Sequence, residues 1–273
     1  MAKISVQLYS VKDYTGKDMV SALEQIAKAG YEGVEFAGYG GLGAEDMKHH
    51  LDRVGLVASG SHVSIQLLRE ALQDVIAYNK TIQNPYIICP GAPAVAREEY
   101  EALHREFLAI GEKIHKAGMK FGYHNHHKEF VSFDGRYGMD ILLDGGNLVY
   151  EVDTYWTEYA GIDTLAYLKK IGKKCELVHL KDMVVDQNKN KSSCTYGEGI
   201  LNNRGIIDTA LVHCDPAWFV IEWEAFNTMD SMEAVTKSCK NLKALLGRSF
   251  KKPSDQEKAC NGKTHPTFYR CTL

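Results

Sequence analysis

The sequence predicts an α/β protein, a (β/α)8 TIM barrel over residues 1–247, and three observations carry that prediction. First, the segments "IAKAGYEGVEF", "LDRVGLVASGS" and "IHKAGMKFGYH" share one grammar, each running from a basic amphipathic turn through glycine into a short apolar stretch. Gly30, Gly55 and Gly118 stand where a helix end needs a left-handed residue, so each marks a helix stopping and a strand starting. Second, strand-like and helix-like stretches alternate along the chain. Such alternation implies parallel strands joined by right-handed crossovers, and eight units suit a closed barrel better than an open sheet. Third, no G-x-G-x-x-G follows the first strand, which speaks against the open doubly wound alternative.

The elements follow in order. Strands are expected at "ISVQLYS" (4–10), "GVEFAG" (33–38), "LVASGSH" (56–62), "YIICPG" (86–91), "KFGYHNH" (120–126), "LVYEVDTY" (148–155), "ELVHLKD" (176–182) and "WFVIEWE" (218–224). Between them, "KDMVSALEQIAKA", "AEDMKHHLDRV", "LLREALQDVIAYNKTI" and "YEALHREFLAIGEKIHKA" carry helical patterns, as do "GMDILLD", "IDTLAYLKKI", "RGIIDTALVH" and the closing "SMEAVTKSCKNLKALLG". After Gly247 neither period persists, so residues 248–273 read as an irregular appendage outside the barrel. Its Cys260, His265 and Cys271 match no zinc-ligand spacing.

Bulk properties narrow the function. The chain has 273 residues, 45% hydrophobic and 25% charged, an ordinary balance for a globular protein with a sizeable core. A net charge of −3 provides no global positive field for a phosphate backbone, which argues against nucleic acid. Neither a leader-like start nor an 18-residue apolar run is present, so a cytoplasmic protein without a membrane partner is expected. The seven cysteines are odd in number and never spaced C-x-x-C, against both a disulfide framework and a zinc ribbon.

In a parallel barrel the chemistry gathers at the C-terminal ends of the strands. Strand 5 ends there in "GYHNHHKEF", with His124, Asn125 and His126 followed by Glu129; strand 6 ends in Asp153. Strand 7 ends in "VHLKD", with His179, Lys181 and Asp182, and strand 8 in "IEWE", with Glu222 and Glu224; Glu35 and His62 stand at the ends of strands 2 and 3. Alternation along a strand puts His179 and Lys181 on one face, and Glu222 and Glu224 on one face. Asp153, His179 and Glu222 then surround one point, with a fourth ligand expected from strand 5. A single Asp at a strand end often does no more than cap the next helix. Equivalent residues on successive strands point instead to a divalent cation, because buried carboxylates need a compensating charge. One histidine among carboxylates favours Mn²⁺, Mg²⁺ or Co²⁺ over a structural zinc.

At these residues the chain resembles the xylose isomerase-like TIM barrels, a group of sugar isomerases and epimerases that also includes apurinic endonucleases. The matching pieces are "GYEGVEFAGY", "GSH", "YHNHHKEF", "EVDTYW", "VHLKD", "YGEGILN" and "VIEWE", and the resemblance they carry is taken over residues 4 to 246. The resemblance implies Asp153, His179 and Glu222 as metal ligands, with Mn²⁺ foremost and Mg²⁺, Co²⁺ or Zn²⁺ as alternatives. Many epimerases of the group carry a ligand Glu on strand 5, where this chain has His124. Glu129 is therefore expected to swing back as the fourth ligand, with His124 taking the place as the alternative. The "YHNH…EF" form looks like the sugar phosphate isomerase/epimerase subgroup.

The implied activity is metal-dependent isomerisation or epimerisation of a keto sugar by removal of the proton α to its carbonyl, through a metal-stabilised enediolate. Glu222 and the His124/His126 pair are the acid–base candidates, and Lys181 would steady the developing oxyanion. His62, Glu35, Asn125 and Trp156 are candidate substrate contacts, the last as a flat face for a sugar ring. Tyr196 to Gly199 could form a lid or a plain tight turn. A glycosidic oxygen β to the carbanion would give elimination instead, so a lyase cleaving 3-keto-glycosides is the alternative activity. A non-catalytic sugar-binding barrel is the alternative of another class. The nuclease branch fits poorly, since Trp156 stands where it would place another histidine. A small carbohydrate is the expected partner, and pairing into a homo-oligomer is open to barrels of this type.

Overall fold

The computed structural model describes residues 2–226 and 228–247. Eight parallel strands close into a barrel: β1 (Lys3–Gln7), β2 (Gly33–Phe36), β3 (Val57–His62), β4 (Tyr86–Cys89), β5 (Lys120–His124), β6 (Leu148–Asp153), β7 (Cys175–Leu180) and β8 (Trp218–Ile221). Neighbours in sequence are neighbours in the barrel, and β8 pairs with β1 to shut it. The principal outer helices are α1 (Met19–Ala29), α2 (Ala44–Val54), α3 (Leu72–Thr81), α4 (Arg97–Lys116), α5 (Gly138–Leu142), α6 (Thr164–Ile171), α7 (Asn203–Thr209) and α8 (Ser231–Leu245). Gly30 and Gly55 end α1 and α2 at φ 94° and 73°, and Gly118 follows α4 at φ 85°. These are the three joints the repeated segments predict, and each uses the left-handed region that glycine enters without a Cβ clash.

The strands stop earlier than the sequence patterns suggest. β5 ends at His124 rather than residue 126, β7 at Leu180 rather than 182, and β8 at Ile221 rather than 224. Beyond those points side chains replace the backbone ladder. Asn125 shows how: its Oδ1 accepts from the Asp153 N–H at 3.0 Å and its Nδ2 donates to the Asp153 carbonyl at 3.2 Å. Two short hairpins were not anticipated, Ser132–Phe133 with Arg136–Tyr137, and Asp182–Val185 with Lys191–Cys194. Asp182 therefore belongs to a hairpin and not to β7.

Packing puts polar side chains at one end of the barrel. Its lower interior is filled by Tyr86, Ile88, Val149, Leu177, Trp218 and Val220. Two residues further along the same strands, on the same inward face, stand Glu151, His179 and Glu222, with Asp153 and Lys181 one step higher. The apolar plug thus forms the floor of a charged layer. A larger core between strands and helices holds residues such as Leu23, Phe36, Phe107, Phe121, Phe219 and Leu242.

The "YGEGILN" segment is tied down rather than free to swing. The Asp182 carboxylate accepts backbone N–H groups of Met183, Gly197, Gly199 and Leu201 at 2.8–3.2 Å, and the Asn203 amide at 2.6 Å. Tyr196 is buried beside it. The tight-turn alternative describes this loop better than a lid does. Among the described residues no helix is long and apolar enough to cross a membrane. The expected appendage, with Cys260, His265 and Cys271, lies outside the described residues.

Candidate metal centre

Strand register brings the charged side chains together. Asp153 lies beside His179, His124 beside Glu151, and Gln7 beside Glu35. Two sets of ligand atoms result, sharing one imidazole. The outer set is His124, Asp153, His179 and Glu222, with ligand atoms all within 4.8 Å of one another; the inner set is Glu35, His62, Glu151 and His179, within the same limit.

In the outer set, His179 Nδ1 is 3.2 Å from Glu222 Oε2, and His124 Nε2 is 3.4 Å from Asp153 Oδ2 and 3.9 Å from Glu222 Oε2. His124 Nε2 and Asp153 Oδ2 are buried and neither makes a hydrogen bond. Buried polar atoms without partners are uncommon, and two of them aimed at each other in a ring of nitrogen and carboxylate donors fit a divalent cation. The residues present therefore suit a divalent ion. Asp153 also caps the helix that follows it, its Oδ1 accepting from the Trp156 N–H at 3.0 Å. Capping and cluster membership use different oxygens of one carboxylate.

Glu129 does not join this set. Its Oε1 accepts the Tyr123 hydroxyl at 2.7 Å and its Oε2 the His126 N–H at 2.8 Å. The short 3-10 turn Lys128–Phe130 directs the carboxylate back toward its own strand, and His124 takes the strand-5 place. The expected Glu129 thus stands outside the cluster, and its alternative, His124, stands within it. Asn125, expected as a substrate contact, is buried with its amide bonded to the Asp153 backbone.

Lys181 is fully buried and points inward, 3.0 Å from Glu222 Oε2, 3.4 Å from Asp153 Oδ2 and 2.5 Å from Glu224 Oε2. It does not pair with Asp182. Burial works against its charge, but Glu222, Asp153 and Glu224 hold its pKa above the usual lysine value. Burial also opposes ionisation of Glu222, yet Lys181, His179 and His124 outweigh it and lower that carboxyl well below its ordinary pKa. Asp153 is lowered in the same way, chiefly by Lys181 and then His124, against its burial. His126 behaves oppositely: burial and the neighbouring His124 push it down to about 3, so it is neutral at pH 7.

Below this layer, His179 Nε2 is 2.7 Å from Glu35 Oε2, a contact that would fix the orientation of the imidazole if it held an ion. Glu35 also accepts from Gln7 Nε2 at 2.9 Å. A Cβ at Gly60 would come within 2.4 Å of Glu35 Oε1, so glycine there makes room for the carboxylate. Glu35 is wholly buried. His62 lies 2.7 Å from Glu151 Oε2 and 3.1 Å from Glu35 Oε2.

Above the cluster opens a cavity of about 430 Å³ lined by Tyr9, Ala37, His62, Ser64, Pro90, His124, His126, Glu222 and Glu224. That volume is in the range of small-molecule sites. Of the expected substrate contacts His62 reaches it; Trp156 is not among its lining residues and instead backs His126, their ring centroids 5.3 Å apart. Sequence reasoning missed Glu151 and Tyr9. Glu151 was detectable, because it precedes Asp153 by two residues and so must share its face. Tyr9 was not, since it follows β1 in a 3-10 turn whose direction no pattern announces.

The sequence profile of the xylose isomerase-like TIM barrel family matches residues 23–245. No curated protein matches the chain. Among solved structures, a sugar phosphate isomerase/epimerase from Parabacteroides distasonis ATCC 8503 is 22% identical with a TM-score of 0.76, covering 89% of this chain and 94% of its own. The IolI protein with a bound zinc atom is 12% identical with a TM-score of 0.71, covering 91% and 99%. A probable 3-DHS dehydratase, AsbF, from Bacillus anthracis is 14% identical with a TM-score of 0.69, covering 88% and 98%. At these identities the likeness is one of fold. The closed eight-stranded barrel and the match over residues 23–245 place this chain in the xylose isomerase-like TIM barrel family.

Proposed function

We propose that this protein is a divalent-metal-dependent isomerase or epimerase of a keto sugar, acting by removal of the proton α to the carbonyl. The observation that carries the reading is the outer set: four nitrogen and carboxylate donors converging from β5, β6, β7 and the end of β8, two of them buried without partners, at the floor of an open cavity. His124, Asp153, His179 and Glu222 would hold the ion, two imidazoles and two carboxylates being a set that suits Mn²⁺, Co²⁺ or Zn²⁺ better than Mg²⁺. A bound ion would supply Lewis-acid stabilisation for negative charge developing on the sugar carbonyl oxygen.

The remaining work belongs to the chain. Glu222 both contributes Oε2 to the ligand set and lines the cavity, which makes it the candidate to accept the proton. His126 lines the same cavity and its ring has no hydrogen-bond partner among the described residues, which leaves it free to exchange a proton with substrate. Lys181, held behind Glu222 and Asp153, keeps both carboxylates ionised rather than touching the sugar. This reading moves His124 from acid–base duty to ligation.

The test is to incubate Mn²⁺-loaded protein with ketoses, keto-glycosides and keto-cyclitols in D₂O and follow the α position by NMR. Deuterium entry that disappears with chelator and in E222Q is the expected result. A metal-loaded protein that exchanges no α proton in any keto sugar would refute the proposal.

A further inference from the structure

The inner set is more than a support for His179. Glu35 Oε2, His62 Nε2, Glu151 Oε2 and His179 Nε2 approach one another at 2.7 Å (His62 to Glu151), 2.7 Å (His179 to Glu35), 3.1 Å (His62 to Glu35) and 3.4 Å (His179 to Glu151). Donors that each stand about 2.0–2.1 Å from a tetrahedral ion lie roughly 3.3–3.4 Å from one another. The 3.1 and 3.4 Å separations are close to that spacing, whereas the two 2.7 Å contacts are hydrogen bonds that an ion would replace, opening each by about 0.6–0.7 Å. Both carboxylates are wholly buried, and their second oxygens, Glu35 Oε1 and Glu151 Oε1, have no hydrogen-bond partner.

The backbone is adjusted where these residues stand. The β2–β3 register shifts between Val34 and Glu35, and the β6–β7 register shifts between Tyr150 and Glu151. Such irregularities re-aim side chains and are enriched beside functional sites. Each of them falls at one of the two inner carboxylates. Access is provided by His62, which lines the cavity.

We propose that Glu35, His62, Glu151 and His179 form a second divalent-cation site, so that the barrel mouth holds a pair of ions bridged by the His179 imidazolate. This inference rests on the reading of the outer set as a metal site. His179 serves both, with Nδ1 facing Glu222 and Nε2 facing Glu35. The proton balance follows from ligation: filling the inner set releases to solvent the ring N–H protons on the ligating nitrogens of His62 and His179. Two imidazole nitrogens and two carboxylates suit Zn²⁺ or Cu²⁺ better than Mg²⁺.

The full-length protein, stripped of metal, is titrated with Zn²⁺ and its bound ions are counted by mass spectrometry after gel filtration. Two ions per chain are expected, falling to one in E151Q, in H62A and in D153N. Loaded with Cu²⁺, the unaltered protein is expected to show magnetic coupling between the two ions, and so a weaker EPR signal than two isolated Cu²⁺ would give. That measurement does not depend on how well any variant folds. A single ion per chain in the unaltered protein overturns the second site, as does a second ion retained in both E151Q and H62A. An ion lost in D153N with none lost in E151Q or H62A overturns it too, and leaves the proposed function standing. A chain that takes up no ion overturns both.

Discussion

Lys181→Met separates a structural lysine from a metal competitor. The ammonium is fully buried and within 3.4 Å of Asp153, Glu222 and Glu224, two of which belong to the outer ligand set. Removing it without metal leaves buried carboxylates uncompensated, and breaking a buried ion pair from one side costs about 3–5 kcal/mol. In a domain of this size each kcal/mol shifts Tm by roughly 2–4 °C, so the metal-free variant is expected to melt about 6–20 °C below the unaltered protein. A bound divalent ion supplies the missing charge to the same oxygens. Mn²⁺ should therefore raise the Tm of K181M by more than it raises that of the unaltered protein, narrowing the gap between them. Differential scanning fluorimetry with and without saturating Mn²⁺, followed by titration calorimetry, reads both effects. Equal Mn²⁺-induced shifts in the two proteins would show that Lys181 and the ion do not share ligands, and the outer site would be misplaced.

Three further outcomes are expected. Asn125→Ala deletes both hydrogen bonds to the Asp153 backbone and strands a buried N–H, so urea denaturation should show a loss of about 1–3 kcal/mol, with weaker metal binding as Asp153 shifts. Asp182→Ala releases the four N–H groups and the Asn203 amide it collects, so limited proteolysis should cut within residues 195–203 of the variant well before the unaltered protein. The metal-free protein should lose stability at both ends of the pH scale. Glu35, Asp153 and Glu222 are lowered below their ordinary carboxylate values, so their contribution is present above about pH 4.5 and fades on acidification. His62 is held up to about 10: its burial opposes the charge, but Glu35 and Glu151 outweigh that, so its contribution is full below about pH 6.5 and lost as pH rises through 10. Chemical denaturation across pH in chelator checks this, and a profile flat from pH 3 to 10 would contradict it.

What the sequence by itself determined was the frame and the kinds of residue at its open end. The glycine joints at 30, 55 and 118 and the alternation of short apolar stretches are local signals, written in a few neighbouring residues, so the eight units could be counted before any contact was known. Inward-facing parity is local too, which is why Asp153, His179 and Glu222 could be placed around one point, and why Glu151 should have been read with Asp153. Tertiary structure alone decided the rest. Whether strand 5 offers Glu129 or His124 depends on the 3-10 turn at Lys128–Phe130 and on the Tyr123 hydroxyl waiting beneath it. Asn125 became a rung of the barrel wall because β5 ends one residue short of its neighbour's need for a partner. The register shifts at Glu35 and Glu151 arise from pairing between strands distant in sequence, and only closure of the barrel brings β2 and β6 near enough for His62 and His179 to stand between their carboxylates. A one-dimensional pattern records which way a side chain faces, whereas the distances that make a site depend on strands meeting across a closed ring.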